Sequence, residues 1–245
     1  MKVDVCVTTA PRDPCTLPRC RQSLLDAGWD SVTVYAEPHS DLRCIDRAKD
    51  RVVQRRMKFG AWRNWLFAAL DMVERSNADG ILIVQDDTEW RSDARNEIEK
   101  QQWPCKNVGY IQCAVSLGYS KWCREKTARI VRLPDRMVPT VMGAWGTLFP
   151  RQVLAKIVEW GLVNGWHGNH LRRGESRWEP DPALRKAVDS FFGKAASALH
   201  LSAWVYNPSL AQHLCRDRGS TLNHDKKFGH ALAIRSALGW EEPAR

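Results

Sequence analysis

Two hydrophobic rhythms alternate along the first third of the chain. Residues 3–9 (VDVCVTT) are rich in β-branched residues, and they stop at Ala10-Pro11, which predicts a first strand. From Thr16 to Trp29 the apolar residues Leu17, Leu24, Leu25 and Ala27 follow helical spacing, with Gly28 placed as a C-terminal stop. SVTVYA, 31–36, predicts a second strand closed by Glu37-Pro38. Residues 59–75 carry Trp62, Leu66, Ala69, Leu70 and Val73 on one helical stripe. Asn77 to Gly80 then turn the chain into an aliphatic strand over 81–85, which ends in Asp86-Asp87. This β-α-β-α-β order predicts a doubly wound α/β sheet whose ligands gather at the carboxyl ends of the strands.

The second half is less regular. Short strands are expected at 108–115, 128–133 and 141–149, and a helix from Arg151 to about Trp160. Residues 164–180 read as a loop rich in Gly, Trp, His and Arg. A helix is expected over 181–199, with Asp181-Pro182 at its N-cap and first turn, and then a strand, SAWVYN, leading into PSLAQHLC. A length of 245 residues suits one large domain. Its nucleotide-binding half would run over about 1–90, its mixed acceptor-side half over 91–215, and a solvent-exposed C-terminal tail over 216–245.

Composition changes this picture in three places. With 37 basic against 28 acidic residues the net charge is +9, a sign that favours phosphorylated or polyanionic partners. The 12 tryptophans are either core or flat surfaces on which sugar or base rings stack. The 8 cysteines form no C-x-x-C pair, so they read as reduced and mostly buried thiols rather than a zinc site. No segment reaches the roughly 18 apolar residues of a membrane span. MKVDVCVTTAPR lacks the plan of a signal peptide, and a cytoplasmic protein is expected.

Chemistry concentrates at Asp86-Asp87. Adjacent carboxylates at the carboxyl end of a central strand suit a hard divalent cation, Mn²⁺ or Mg²⁺, bridging to phosphates. The competing reading is a turn with two solvated aspartates. Thr8, Thr9 and Arg12 follow the first strand on the same sheet edge, where hydroxyls, amides and a guanidinium can hold a nucleotide. Gly60, Arg63 and Asn64 open the helix that leads to the aspartates, and His213 stands in a short apolar context in NPSLAQHL.

The segments VDVCVTTAPR, TLPRCRQSLLDAGW, VYAEP, GAWRNW, ILIVQDD, GAWGTLFPR, DPALRKAVD and NPSLAQHL resemble, in order and spacing, those of GT-A glycosyltransferases. The resemblance runs from about residue 3 to residue 224, and includes the N-acetylglucosaminyltransferase branch and small phage and bacterial enzymes of that fold. It implies a GT-A, Rossmann-like mixed sheet flanked by helices, and a metal-dependent hexosyl- or N-acetylhexosaminyltransferase with a UDP-sugar donor. By the same resemblance Asp87 would be a metal ligand, with Asp86 near the donor sugar or ribose. His213 would complete the metal's coordination. The family's acidic motif usually begins with an acid, where this chain has Gln85. Thr8, Thr9, Arg12 and Glu37 would hold the nucleotide, with Arg63 and Asn64 on base or phosphate. GAWGTLFP would pass beneath the donor sugar, its glycines allowing close backbone approach and Trp145 stacking on donor or acceptor, unless that ring is core.

Transfer needs the phosphate–sugar bond to break while an acceptor hydroxyl loses its proton. For an inverting enzyme the resemblance makes Asp181 the general base, with Glu179 and Asp189 as alternatives; a plain N-cap is the competing role of Asp181. The basic charge and the Trp/Arg-rich loop, with Trp166, Arg172, Arg173 and Arg177, point to a polyanionic acceptor. The best match is double-stranded phage DNA carrying a flipped-out hydroxymethylated base, 5-hydroxymethylcytosine, in a bacterial cytoplasm. A bacterial glycan or protein acceptor is the alternative within the class. A non-catalytic nucleic-acid-binding protein is the rival outside it. A nucleotidyltransferase fits less well, because TTAPRDP is not the glycine-rich basic loop that class carries after its first strand.

Overall fold

The structure, a computed structural model, describes residues 1–114, 123, 129–139, 143–164 and 187–214. Its frame is one eight-stranded sheet. β1 (Val3–Thr9), β2 (Thr33–Ala36), β3 (Arg51–Gln54) and β4 (Gly80–Gln85) are joined in parallel, as the first-half pattern predicts, with β1 between β2 and β4. The other half is mixed. β8 (Gly146–Pro150) runs antiparallel beside β4 and is followed outward by β6 (Val108–Gln112), β9 (Ser202–Tyr206) and β7 (Ile130–Arg132). A separate two-stranded ribbon pairs β5 (Thr88–Trp90) with β10 (Ala211–His213).

Helices cover both faces. α1 (Leu17–Asp26) and α3 (Ala94–Lys100) lie on one side, with Leu17, Cys20, Leu24 and Ile98 buried against Val5, Val7, Val34 and Val84. On the other side α2 (Gly60–Arg75), α4 (Arg151–Val163) and α5 (Ala187–Ala198) bury Trp65, Leu154 and Phe191 against Tyr35, Ile83 and Phe149. Central strands buried on both faces have no polar alternation, which is why β4 reads as a continuous aliphatic run.

The sequence-predicted strands at 108–115, 128–133 and 141–149 correspond to shorter β6, β7 and β8, and Arg151 does open a helix. Several elements were not expected. β3 intervenes between β2 and α2, the ribbon strand β5 starts straight after the aspartates, α3 follows it, and β10 forms within PSLAQHLC. The tail 216–245 and residues 165–186 lie outside the described residues, so of the expected 181–199 helix only Ala187–Ala198 can be described.

Every described tryptophan packs into one of the two cores, which decides for packing over open stacking surfaces. The described cysteines are free thiols; Cys6, Cys20, Cys113 and Cys123 are buried, and Cys15, Cys44 and Cys105 partly so. No helix among the described residues is long and apolar enough to cross a membrane.

Candidate active site

Strand register assembles the site. Thr8 lies level with Gln85 in the β1–β4 pair, and Ala36 level with Thr9 in the β1–β2 pair. The main chain continues this alignment past the strand ends. Asp86 N–H donates to Thr8 O at 3.2 Å, and Glu37 N–H to Thr9 O at 3.0 Å. Thr8, Thr9, Glu37, Asp86 and Asp87 therefore sit along one carboxyl edge, the edge where ligands of such sheets bind.

Asp86-Asp87 is not a solvated turn. The two residues are 1% and 6% exposed. Arg12 reaches over from the end of β1 and pairs with both, Nη2 to Asp86 Oδ1 at 2.7 Å and Nη1 to Asp87 Oδ2 at 2.9 Å. Thr9 Oγ1 donates to Asp86 Oδ2 at 2.6 Å.

His213 arrives from the far end of the chain on β10. His213 is level with Thr88 in the ribbon, and Leu214 N–H donates to Asp87 O at 2.7 Å. The imidazole Nε2 then faces Asp87 Oδ2 at 3.4 Å, with His213 only 3% exposed. The ring also stands edge-on to Trp145, centroids 5.0 Å apart.

The two carboxyls are pushed apart in acidity. Burial pushes Asp86 above the ordinary carboxyl range, with Asp87 adding to the rise and Arg12 and Thr9 opposing it. Burial also works against the charge of Asp87, but His213 and Arg12 outweigh it and hold that carboxyl well below the usual carboxylate range.

Several predicted residues turn out to frame the site. Glu37 is 2% exposed, and its Oε2 accepts from Phe59 N–H at 2.8 Å, so the carboxylate caps the start of α2. Burial pushes its carboxyl up, against the opposing pull of the Phe59 and Gly60 amides, Arg55 and Lys58. Asn64 Nδ2 donates to Tyr35 O at 2.9 Å, and its Oδ1 accepts from Arg55 Nε at 3.1 Å. The side-chain amide thus ties α2 to the end of β2. Thr8 Oγ1 donates to Val84 O at 3.3 Å, inside the sheet. Arg63, on the first turn of α2, is half-buried, and burial lowers its guanidinium from the ordinary value.

GAWGTLFP differs from expectation. Trp145 is 6% exposed and belongs to the core, and its carbonyl accepts from Gln85 N–H and from Thr88 Oγ1. A Cβ on Gly143, at φ +85°, would meet the Trp145 ring at 2.4 Å, and one on Gly146 would meet Trp90 at 2.6 Å. These glycines make room for indoles. Asp181, Glu179, Trp166, Arg172, Arg173 and Arg177 lie outside the described residues.

Asp87 and His213 are the side chains at this edge that could hold a divalent cation. Asp87 Oδ1 is buried with no hydrogen-bond partner among the described residues, and Asp87 and His213 offer oxygen and nitrogen side by side. No three His, Cys, Asp or Glu side chains among the described residues form a complete ion site. Ions of the Mg²⁺ type normally take one or two protein carboxylates and fill the rest of their shell with substrate phosphates and water.

Comparison with solved structures settles the architecture. The S. aureus TarS fragment 1–349 matches 98% of this chain and 72% of its own, with a TM-score of 0.53 at 12% identity. A mannosyltransferase from Pyrobaculum calidifontis, PcManGT, in complex with GDP-Man and Mn²⁺, matches 82% of this chain with a TM-score of 0.51 at 14% identity. The fold is that of the GT-A glycosyltransferases. This chain spans about half of that mannosyltransferase, 53% of its length. No protein-family model matches the sequence, and no curated protein sequence does.

Proposed function

We propose that this GT-A chain is a glycosyltransferase that moves a sugar from a nucleoside diphosphate sugar, with UDP as the nucleotide, to an acceptor hydroxyl. The observation that carries the reading is Asp87, a buried carboxyl at the end of β4 with His213 beside it, Nε2 to Oδ2 at 3.4 Å. The GDP-Man and Mn²⁺ named for the mannosyltransferase agree with a nucleotide sugar and a divalent ion in a site of this fold. The residues that would hold the ion are Asp87 and His213, with Asp86 adjoining, and its charge would stabilise the departing diphosphate.

This chain's own residues account for the rest. Thr9 fixes the Asp86 carboxylate, and the ribbon β5–β10 fixes His213 against Asp87. Glu37 and Asn64 hold the start of α2 against the strand ends, so the donor would meet a rigid edge. Arg12 supplies the guanidinium at that edge for the diphosphate. Asp181 is the proposed general base, with Glu179 as the alternative, and Trp166, Arg172, Arg173 and Arg177 the proposed acceptor contacts. A net charge of +9 supports a polyanionic acceptor, and the proposal names duplex DNA with a hydroxymethylated base.

The test is release of free UDP from a panel of UDP-sugars with Mn²⁺, with and without 5-hydroxymethylcytosine DNA. Donor turnover that is lost in Asp87→Ala is the expected result. No release under any condition would sink the enzyme reading, and release indifferent to DNA would remove that acceptor alone.

A further inference from the structure

One oxygen in the site has two suitors. Asp87 Oδ2 lies 2.9 Å from Arg12 Nη1 and 3.4 Å from His213 Nε2. The Arg12 side chain is only 8% exposed, and its second nitrogen holds Asp86 Oδ1 at 2.7 Å. The guanidinium thus bridges both carboxylates, in the position from which a cation neutralises the pair. Two adjacent buried carboxylates need such a cation, because an unpaired buried charge is strongly unfavourable.

We infer that Arg12 is an internal competitor of the divalent ion: it neutralises Asp86-Asp87 until a diphosphate draws its guanidinium away and frees Asp87 for the ion. The inference rests on the proposed function, since it presumes that Asp87 and His213 serve as ligands. The reason is geometric and electrostatic. An ion held by Asp87 and His213 must approach the oxygen that Arg12 holds, and two cations cannot share one buried carboxylate without repulsion. A diphosphate offers Arg12 a better partner, because its oxygens match the planar guanidinium fork. Arg12 stands three residues past the end of β1, and its guanidinium lies at the strand edge where the carboxylates it holds end β4.

The consequence is ordered loading. Without nucleotide the site resists the ion, and nucleotide raises ion affinity beyond what direct phosphate contact gives. By reciprocity the ion raises nucleotide affinity by the same factor. Arg12 is therefore a positioning residue with two partners in turn, carboxylates first and diphosphate second.

The test is Mn²⁺ binding, followed by electron paramagnetic resonance or calorimetry, with and without UDP, on the parent chain and on Arg12→Gln, Arg12→Lys and Asp87→Ala. Arg12→Gln should bind Mn²⁺ about 10-fold more tightly than the parent in the absence of UDP, the scale of a typical coupling between sites. The gain from adding UDP should shrink by a similar factor. Arg12→Lys, which keeps a cation, should stay near the parent, and this separates charge from packing. Thermal melts identify any variant that fails to fold; should Arg12→Gln do so, Arg12→Met, equally uncharged, replaces it with the same expected outcome.

Mn²⁺ affinity in Arg12→Gln that is unchanged or weaker, with Asp87→Ala abolishing binding, would overturn the competitor role and leave the proposed function standing. Mn²⁺ bound by no form of the protein, with or without UDP, would overturn both.

Discussion

Thr9 shows how much of the site depends on single polar atoms. Its hydroxyl donates to Oδ2 of the buried Asp86. Thr9→Val keeps the shape and removes the donor. Leaving that buried carboxyl oxygen without its donor should cost about 1–3 kcal/mol. Urea unfolding measures this, and Thr9→Ser should recover most of it; an unchanged midpoint in Thr9→Val would show that Arg12 alone satisfies Asp86. Asp71 gives a second case, remote from the site. It accepts from Tyr35, Arg51 and Arg75. Burial works against its charge, but those donors outweigh it and hold the carboxyl well below the usual range. A carboxyl lowered in the folded state stabilises the fold above its unfolded value near ~4, and that contribution is lost as pH falls towards the folded value. Asp71→Asn should therefore be less stable by about 1 kcal/mol at neutral pH, the ion pairs being partly solvent-screened. The gap should close in unfolding curves taken below pH ~4. The sequence marked Thr9, Arg12, Asp86 and Asp87 because types and strand-end positions are visible in it, and His213 through its family resemblance. It could not show that Asn64 and Glu37 turn inward to hold α2, since a side chain's partner depends on distant backbone.

Elements were legible where periodicity was long. The aliphatic run of β4 and the apolar stripe of α2 announce themselves, whereas β3 is a four-residue edge strand, RVVQ, partly exposed throughout and flanked by charge. β5 and β10 have three residues each, too few for a period of two to register, and their pairing joins segments far apart in sequence, 88–90 with 211–213. That ribbon is nevertheless what carries His213 to Asp87. The contact of α4 with α5 offers a test of packing against propensity. A Cβ on Gly161 would lie 2.4 Å from Phe191 Cε2, and Phe191 is fully buried among Trp62, Trp65 and Trp160. Alanine gains about 1 kcal/mol over glycine as a helix former. Overpacking a core that cannot yield costs typically about 1–3 kcal/mol. Gly161→Ala should therefore be net destabilising, by up to about 2 kcal/mol in urea unfolding. A stabilised variant would mean that the Phe191 ring moves aside without cost.

At the scale of the whole molecule, the sheet divides the labour. Its parallel half, β3-β2-β1-β4, brings the strand ends and their polar residues to one edge, and its mixed half, from β8 outward, supplies the second wall and returns the chain to that edge through β10. The alternation of strands and helices made the first half readable, but antiparallel neighbours joined by irregular connections leave no such order, so the second half was legible only as fragments. Charge is the property that the fold does not explain. The basic runs Arg172, Arg173, Arg177 and Lys226, Lys227 account for part of the +9, and a donor diphosphate needs only a few cations. The polyanionic acceptor we propose would account for the excess, and it would make a distinct demand on ionic strength. Each phosphate contact on a duplex steepens the fall of log K with log salt by about 0.9. Replacing Arg172, Arg173 and Arg177 together by alanine should flatten that slope by about 2–3 on hydroxymethylated duplex DNA and lower transfer to it. UDP release from the donor alone should stay as in the parent chain, because that reaction involves the strand edge and not the acceptor. Filter binding across a salt series, read beside UDP release, separates the two. An unchanged slope with reduced transfer would place these arginines on a different acceptor, and a loss of UDP release without DNA would assign them to the donor.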